Sequence, residues 1–310
     1  MPADRKTARP ASVMIVGGAG FVGSHLTERL LADGVRVEVV DDLSSGSLTN
    51  LAIARERAEE GTLRIDTADA RIPEFVDLVK RRRPDVVVLC AAFTGDQDDS
   101  IDATRSFALI TSVLEACRNA GISKIVVTFP GALLYGEVPA RELPVKEDRP
   151  HQPVGVLGVA AEATLGLLEL YRRDHSLDYT ALALSTVYGP RQRHGIVADF
   201  ARAKRSGSSP TVFGDGKQTS DVLFVDDAVD AISRALAKGS GQIIHVASGQ
   251  QTSLRVLLEA MGIETVIAEP RRPRVVQRNA LSPSRARLHL GWSPWTTLAD
   301  GIGVTLAADD

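Results

Sequence analysis

Cysteine is scarce: Cys90 and Cys117 are the only two among 310 residues. Two thiols cannot build the disulfide framework of a small secreted domain. Cys90 falls in an apolar, strand-like stretch and Cys117 in a helix-like one, which suits small buried hydrophobes. Long apolar runs are missing too. None reaches the length of a bilayer span, so no membrane partner is expected. The first dozen residues are polar, carry Pro2 and Pro10 and lack the apolar core of a signal peptide. Residues 1–11 are therefore expected to be disordered, and the protein to be cytoplasmic.

No charge of one sign dominates. Lys and Arg number 36 against 39 Asp and Glu, a formal net charge of −3. That balance gives no overall footprint for nucleic acid or an anionic membrane. The basic runs are local. Lys80-Arg81-Arg82-Arg83 stands at an expected helix end before Pro84, where cations meet the helix dipole favourably. Arg271, Arg272 and Arg274 fall in an expected surface loop. His, Cys, Asp and Glu residues show no metal-ligand spacing, so no metal is expected. There is no Gly-x-Ser-x-Gly nucleophile elbow either.

What is present is an alternation of strand and helix signals. Val13 to Val16 is a short apolar run ending in glycines, as a buried parallel strand does. A helix is expected from Phe21 to Ala32, stopped at Asp33-Gly34. Strand signals recur at Val35–Val40, Asp85–Leu89, Lys124–Thr128 and Tyr179–Leu184. Such alternation predicts an α/β fold, a Rossmann-type doubly wound parallel sheet with a smaller C-terminal substrate region. After Tyr188-Gly189-Pro190 the chain becomes richer in Gly, Pro and Ser. A helix near Asp226–Ala237, a strand at Ile243–Val246 and a helix at Leu254–Met261 are expected there. We divide the chain into a dinucleotide-binding domain over 12–187 and a substrate region over 188–310, with some interleaving.

The strongest local signal is Gly17-Gly18-Ala19-Gly20-Phe21-Val22-Gly23 between a strand and a helix. Glycines there allow a sharp turn and let a pyrophosphate reach the helix N-terminus, whose unpaired N–H groups and dipole favour an anion. Asp41-Asp42 ends the second strand, eighteen residues beyond Gly23. A carboxylate there accepts from ribose hydroxyls and repels a 2′-phosphate. With no Arg immediately beside it in the sequence, NAD is favoured over NADP.

The spacing G-x-x-G-x-x-G, followed by Asp41-Asp42-Leu43-Ser44-Ser45-Gly46, resembles the extended short-chain dehydrogenase/reductases, and among them the nucleotide-sugar epimerases and dehydratases. Ala68-Asp69-Ala70-Arg71, Cys90-Ala91-Ala92 and Leu134-Tyr135-Gly136 match as well. So do Tyr188-Gly189-Pro190-Arg191-Gln192, Phe213-Gly214-Asp215-Gly216-Lys217-Gln218 and Leu290-Gly291-Trp292-Ser293-Pro294. The resemblance implies that Asp69 meets the adenine, beside Ala70, and that Ala91 and Ala92 line the cofactor path. Arg191 and Gln218 would lie on the substrate side, with Arg274 supplying further charge. It also implies dimers formed through helices near Ile101–Ala120 and Gly155–Arg173.

The same resemblance exposes a loss. The family's reaction needs a Tyr general acid/base, a Lys four residues on that lowers its pKa, and a Ser or Thr that completes the relay. Counting back from Glu162, the Tyr position is Val154 and the Lys position is Gly158. The Ser/Thr position, four residues before Tyr135, is Gly131. Ser220 stands where an Arg grips a nucleotide diphosphate, and Thr186 where an Asn touches the sugar. Thr128, Tyr135, His151 and Tyr188 remain as candidate proton-transfer groups.

Two readings follow. One is an atypical epimerase- or dehydratase-like enzyme acting on a sugar, nucleotide-linked or otherwise, or on a natural-product intermediate. The other is a catalytically dead NAD-binding pseudoenzyme that partners an active homologue in a heterodimer, instead of forming the family's homodimer. Survival of the cleft motifs around Tyr135, Tyr188 and Gln218 tilts the sequence toward the enzyme.

Overall fold

The computed structural model describes residues 9–94, 99–270 and 276–308. The chain opens with β1 (Ser12–Val16), α1 (Phe21–Ala32), β2 (Arg36–Asp41), α2 (Ala52–Arg57), β3 (Leu63–Thr67), α3 (Glu74–Arg82) and β4 (Val86–Leu89). It continues through α4 (Ser100–Ala120), β5 (Lys124–Pro130), α5 (Gly155–His175), β6 (Asp178–Leu184) and β7 (Thr186–Tyr188). Then come α6 (Ile196–Ser206), β8 (Thr211–Phe213), β9 (Thr219–Ser220), β10 (Val222–Phe224), α7 (Val225–Ala235) and β11 (Gln242–Val246). The last elements are β12 (Thr252–Ser253), α8 (Leu254–Ala260), β13 (Ile267–Glu269), α9 (Ser284–Leu290) and α10 (Leu298–Ala307).

Seven strands form one parallel sheet in the order β11-β6-β5-β4-β1-β2-β3. The reversal of order beside β1 opens a crevice at the strands' C-terminal ends, where doubly wound sheets bind ligands. Strands β1 and β4 are buried throughout, as their continuous apolar runs require of strands covered on both faces. Helices α3, α4 and α5 pack side by side, and α1 packs on α7.

Local chemistry sets the helix ends. Asp99 caps α4 by accepting from the N–H groups of Ile101 and Asp102, and left-handed Gly121 ends it. The basic run does end α3, but Arg82 is not simply solvated: it pairs with Glu38 on β2 and Asp66 on β3.

The later half of the chain is tied to the first. Its strand β11 is an edge of the main sheet. Trp292 is buried and donates its indole N–H to the Asp227 carbonyl at 3.0 Å, while the Asp227 carboxylate accepts from the N–H groups of Trp295 and Thr296. Residues 277–282 thread back against the Rossmann unit. There the Val145 N–H donates to the Ala280 carbonyl, and the Ser282 N–H to the Val145 carbonyl.

Candidate functional site

A groove of about 520 Å³ lies over the C-terminal ends of β1, β2 and β4. Its floor is the glycine turn. Gly17 has φ +86°, and a Cβ there would lie 2.7 Å from the Ala91 Cβ. At Gly23 a Cβ would lie 2.1 Å from the Gly17 carbonyl oxygen. Side chains at either position would lift the turn off the sheet. Gly20 enters α1 in extended conformation with no side-chain cap, and no acid occupies the first turn. The N–H groups of Phe21, Val22 and Gly23 therefore stay available for an anion, at the positive end of the helix dipole. The glycine cradle fits a dinucleotide pyrophosphate, whose backbone approach a Cβ would obstruct. Ser44, Asp69, Ala70 and Ala91 also line the groove. Ala92 does not: it is buried in the core below, so its expected place on the cofactor path is not met.

At the adenosine end the two aspartates differ. Asp41 is 8% exposed. Its Oδ2 accepts from the Ala19 N–H at 2.8 Å and its Oδ1 from the Leu43 N–H at 2.9 Å. Burial pushes its carboxyl above the usual carboxylate range, against the pull of those bonds. Asp42 is more open and accepts from both the N–H and the hydroxyl of Ser44. Although no Arg neighbours these aspartates in the sequence, one reaches them in the fold. Arg71, on the turn after β3, grips Asp69 through Nε and Nη2 at 2.8 Å each and reaches Asp42 at 3.3 Å. The guanidinium holds the Asp69 carboxyl below its ordinary value.

The other end is where chemistry is expected. A Cβ on Gly131 would lie 2.5 Å from Leu281 Cδ1, and one on Gly158 would lie 2.7 Å from the Leu133 carbonyl oxygen. Val154 immediately precedes α5, in extended conformation, and donates its N–H to that same Leu133 carbonyl. Leucine and backbone thus crowd Gly131 and Gly158, two of the three positions where the resemblance expects the relay. Thr186 and Ser220 hydrogen-bond to each other at 2.8 Å, so the two hydroxyls on the substrate side satisfy one another.

The surviving motif residues have structural partners. Tyr135 is 2% exposed and bonds to His245 Nε2 at 2.8 Å, while His245 Nδ1 lies 3.2 Å from the Val145 carbonyl. His245 therefore donates from Nδ1 and accepts from the tyrosine, and its burial pushes its pKa down to about 3. Burial raises the Tyr135 hydroxyl as well. Tyr188 does not border the groove: it is 1% exposed, with its hydroxyl packed where a Gly301 side chain would be. Burial raises its pKa to about 12. Thr128 is buried and donates to the Leu89 carbonyl. Gln218 donates to the Phe213 carbonyl, closing its own loop.

Arg191 lies on the cofactor side instead of the substrate side. It lines the dinucleotide groove and bonds to Ser24 and Glu28 on α1. Arg274 lies outside the described residues, as do Arg271 and Arg272. Among the four candidates for proton transfer, His151 alone keeps partial solvent access, with Nδ1 2.5 Å from Glu162 Oε2. Sequence reasoning missed His245, Leu281 and Arg71. A histidine inside Ile243-Ile244-His245-Val246 is a signal for a buried polar contact, but Leu281 carries none.

The sheet, the crevice and the glycine cradle together define a dinucleotide-binding Rossmann protein. Residues 13–247 match the NAD dependent epimerase/dehydratase family, and the chain belongs to that family. Its cofactor is NAD. The UDP-glucose 4-epimerase of Mycolicibacterium smegmatis is 37% identical over 309 residues, covering 94% of this chain and 96% of that protein. A dTDP-glucose 4,6-dehydratase of Streptomyces niveus is 30% identical, covering 95% and 91%. The UDP-glucose 4-epimerase of Thermus thermophilus, solved in complex with NAD, is 30% identical with a TM-score of 0.83, covering 95% and 97%. No helix among the described residues is long and apolar enough to cross a membrane.

Proposed function

We propose that this chain is an NAD-holding member of its family that has given up the family's proton relay and acts beside an active homologue. The observation that carries this reading is Gly158. Its missing Cβ is not a vacancy, because α5 has settled to where a side chain would meet the Leu133 backbone at 2.7 Å. A lysine there needs backbone movement as well as a new side chain. NAD, when bound, supplies reversible hydride acceptance. In the relatives the sugar hydroxyl must lose its proton as that happens, and here Gly131, Val154 and Gly158 offer no group to take it. Tyr135, Tyr188 and Gln218 have roles inside the fold, which removes the reason to count their survival as survival of a cleft.

Helix α5 supports a partner role. Val156, Val159, Ala163, Gly166 and Leu170 are exposed along one stripe at spacings of three and four residues. That pattern suits a facing helix. Gly158 and Ala161 on the same helix are buried within the chain and lie off that stripe.

A second reading is favoured by one observation: His151 is held by Glu162, an imidazole–carboxylate pair beside the Tyr position that suits a general base. Incubating the NAD-loaded protein with UDP-glucose and with dTDP-glucose, and following the sugars by NMR, separates the two. We expect no conversion. Conversion that disappears in His151→Ala would replace the first reading with the second.

A further inference from the structure

We infer that the loop over residues 189–195 is a gate on the dinucleotide groove, held shut against α1 by Arg191, and that cofactor enters and leaves only when the Arg191–Glu28 pair parts. The inference rests on the reading above that this chain holds NAD.

Arg191, Gln192, Arg193 and His194 line the groove together with Phe21, Val22 and Gly23 of the first turn of α1. A dinucleotide whose pyrophosphate sits on the helix N–H groups therefore lies between helix and loop. Three bonds tie the two walls together. Arg191 donates from Nη2 to Glu28 Oε1 at 2.5 Å and from Nη1 to Ser24 Oγ at 3.2 Å. His25 Nε2 lies 3.1 Å from the Pro190 carbonyl and so carries the proton. Ser24 and Glu28 are one helical turn apart, on the stripe of α1 that meets the loop. The Arg191 and Glu28 side chains are only 18% and 23% exposed, which limits the screening of their attraction.

The loop's own conformation gives it little reason to stay there. Arg191 has φ +68°, a torsion that a Cβ disfavours. Gln192 gives its amide nitrogen to the Val187 carbonyl and leaves Oε1 buried with no partner among the described residues. Such features persist only where surrounding contacts hold them. Here those contacts are the bonds to α1 and that of Arg202 to the Arg193 carbonyl. Gly189 at φ +153° and Gly195 at φ +110° bracket the loop. Glycine turns readily about such torsions, so the segment between them can swing while β7 and α6 stay in place.

A gate and a direct phosphate contact differ in what they require of Glu28. If Arg191 served by touching the pyrophosphate, removing Glu28 would free its guanidinium and take away a nearby negative charge. Cofactor would then be held longer. If the pair closes a gate, removing either partner lets the loop open more often. Cofactor then enters and leaves faster, and affinity moves little, because the pair steadies the closed loop with and without cofactor.

The test is stopped-flow fluorescence of NADH on the purified full chain. It reads the binding rate on mixing and the release rate when excess NAD displaces bound NADH. In Glu28→Ala and in Arg191→Met both rates are expected to rise by about tenfold, the worth of one charge-assisted bond, while the dissociation constant moves by less than about threefold. The double variant should match the single ones, since one pair is broken in all three. Neither side chain belongs to the core, and Glu28→Gln, which keeps an acceptor for Arg191, should fall between wild type and Glu28→Ala. Rates left at wild-type values overturn the gate while leaving NAD binding in place. So does slower release from Glu28→Ala, or an Arg191→Met that loses affinity through faster release alone. A wild-type protein that takes up no NADH removes the gate and the NAD-holding reading together.

Discussion

Glycine stands at both ends of this site and does opposite work at each. At the dinucleotide end, Gly17 and Gly23 let the chain fold tightly against Ala91 and against itself, and the tight turn leaves an open groove lined with helix N–H groups. At the other end, Leu281 and the Leu133 backbone close in on Gly131 and Gly158, where the family resemblance expects two of the relay groups. A missing side chain therefore says nothing by itself about space for a ligand. What matters is whether the neighbours that fill the gap point donors outward or seal it.

The comparison breaks most visibly at Gly23. Gly23→Ala places a carbon 2.1 Å from a backbone oxygen, and overpacking of that kind costs about 1–3 kcal/mol. We expect NAD binding to fall below detection by calorimetry, with a lower Tm. Unchanged NAD affinity would show that the turn is not the cradle.

Next in size is restoration of the dyad. Val154→Tyr with Gly158→Lys should lose about 1–3 kcal/mol of stability in urea titrations, again through overpacking. It should also gain no epimerase activity, because the lysine displaces Leu133 instead of entering a waiting space. Activity in that variant would mean the far end is closed only in side chains and not in backbone.

A smaller effect sharpens the account of Tyr135. Removing its hydroxyl in Tyr135→Phe leaves His245 Nε2 unpaired and should cost about 1–3 kcal/mol, with NAD affinity unchanged. His245 also gives a pH signature. Its folded pKa is depressed to about 3 by burial, while an unfolded histidine titrates near 6.5. The unfolded chain binds the extra proton between those values, so stability is held above about 6.5 and falls as pH drops toward 3. His245→Gln should flatten that acid limb in denaturation measured at pH 5 and pH 7. An unaltered slope would move the acid sensitivity to other groups.

The first half of the fold was legible because local rules agreed there. Helix α1 runs from Phe21 to Ala32 as expected, between an extended glycine and a left-handed Gly34. Strand β3 was missed because Leu63-Arg64-Ile65-Asp66-Thr67 is a half-exposed edge with charges on it, so no apolar run announces it. The family resemblance pointed to Gly131, Val154 and Gly158, but not to the way Leu281 and Leu133 crowd the two glycines. The same is true of Arg71, which reaches Asp42 from 29 residues away. It is true again of Tyr135 and His245, 110 residues apart. Which partners the sheet brings together is not written in local pattern, and those partners are what turned apparent cleft residues into parts of the core.

The most direct measurement is to denature the purified protein, identify the released small molecules by mass spectrometry, and then follow absorbance for NADH after adding UDP-glucose to NAD-loaded protein. The account predicts recovered NAD and no NADH. Reduced cofactor appearing with the sugar would contradict the closed relay, and a protein that neither carries nor binds NAD would contradict the open groove.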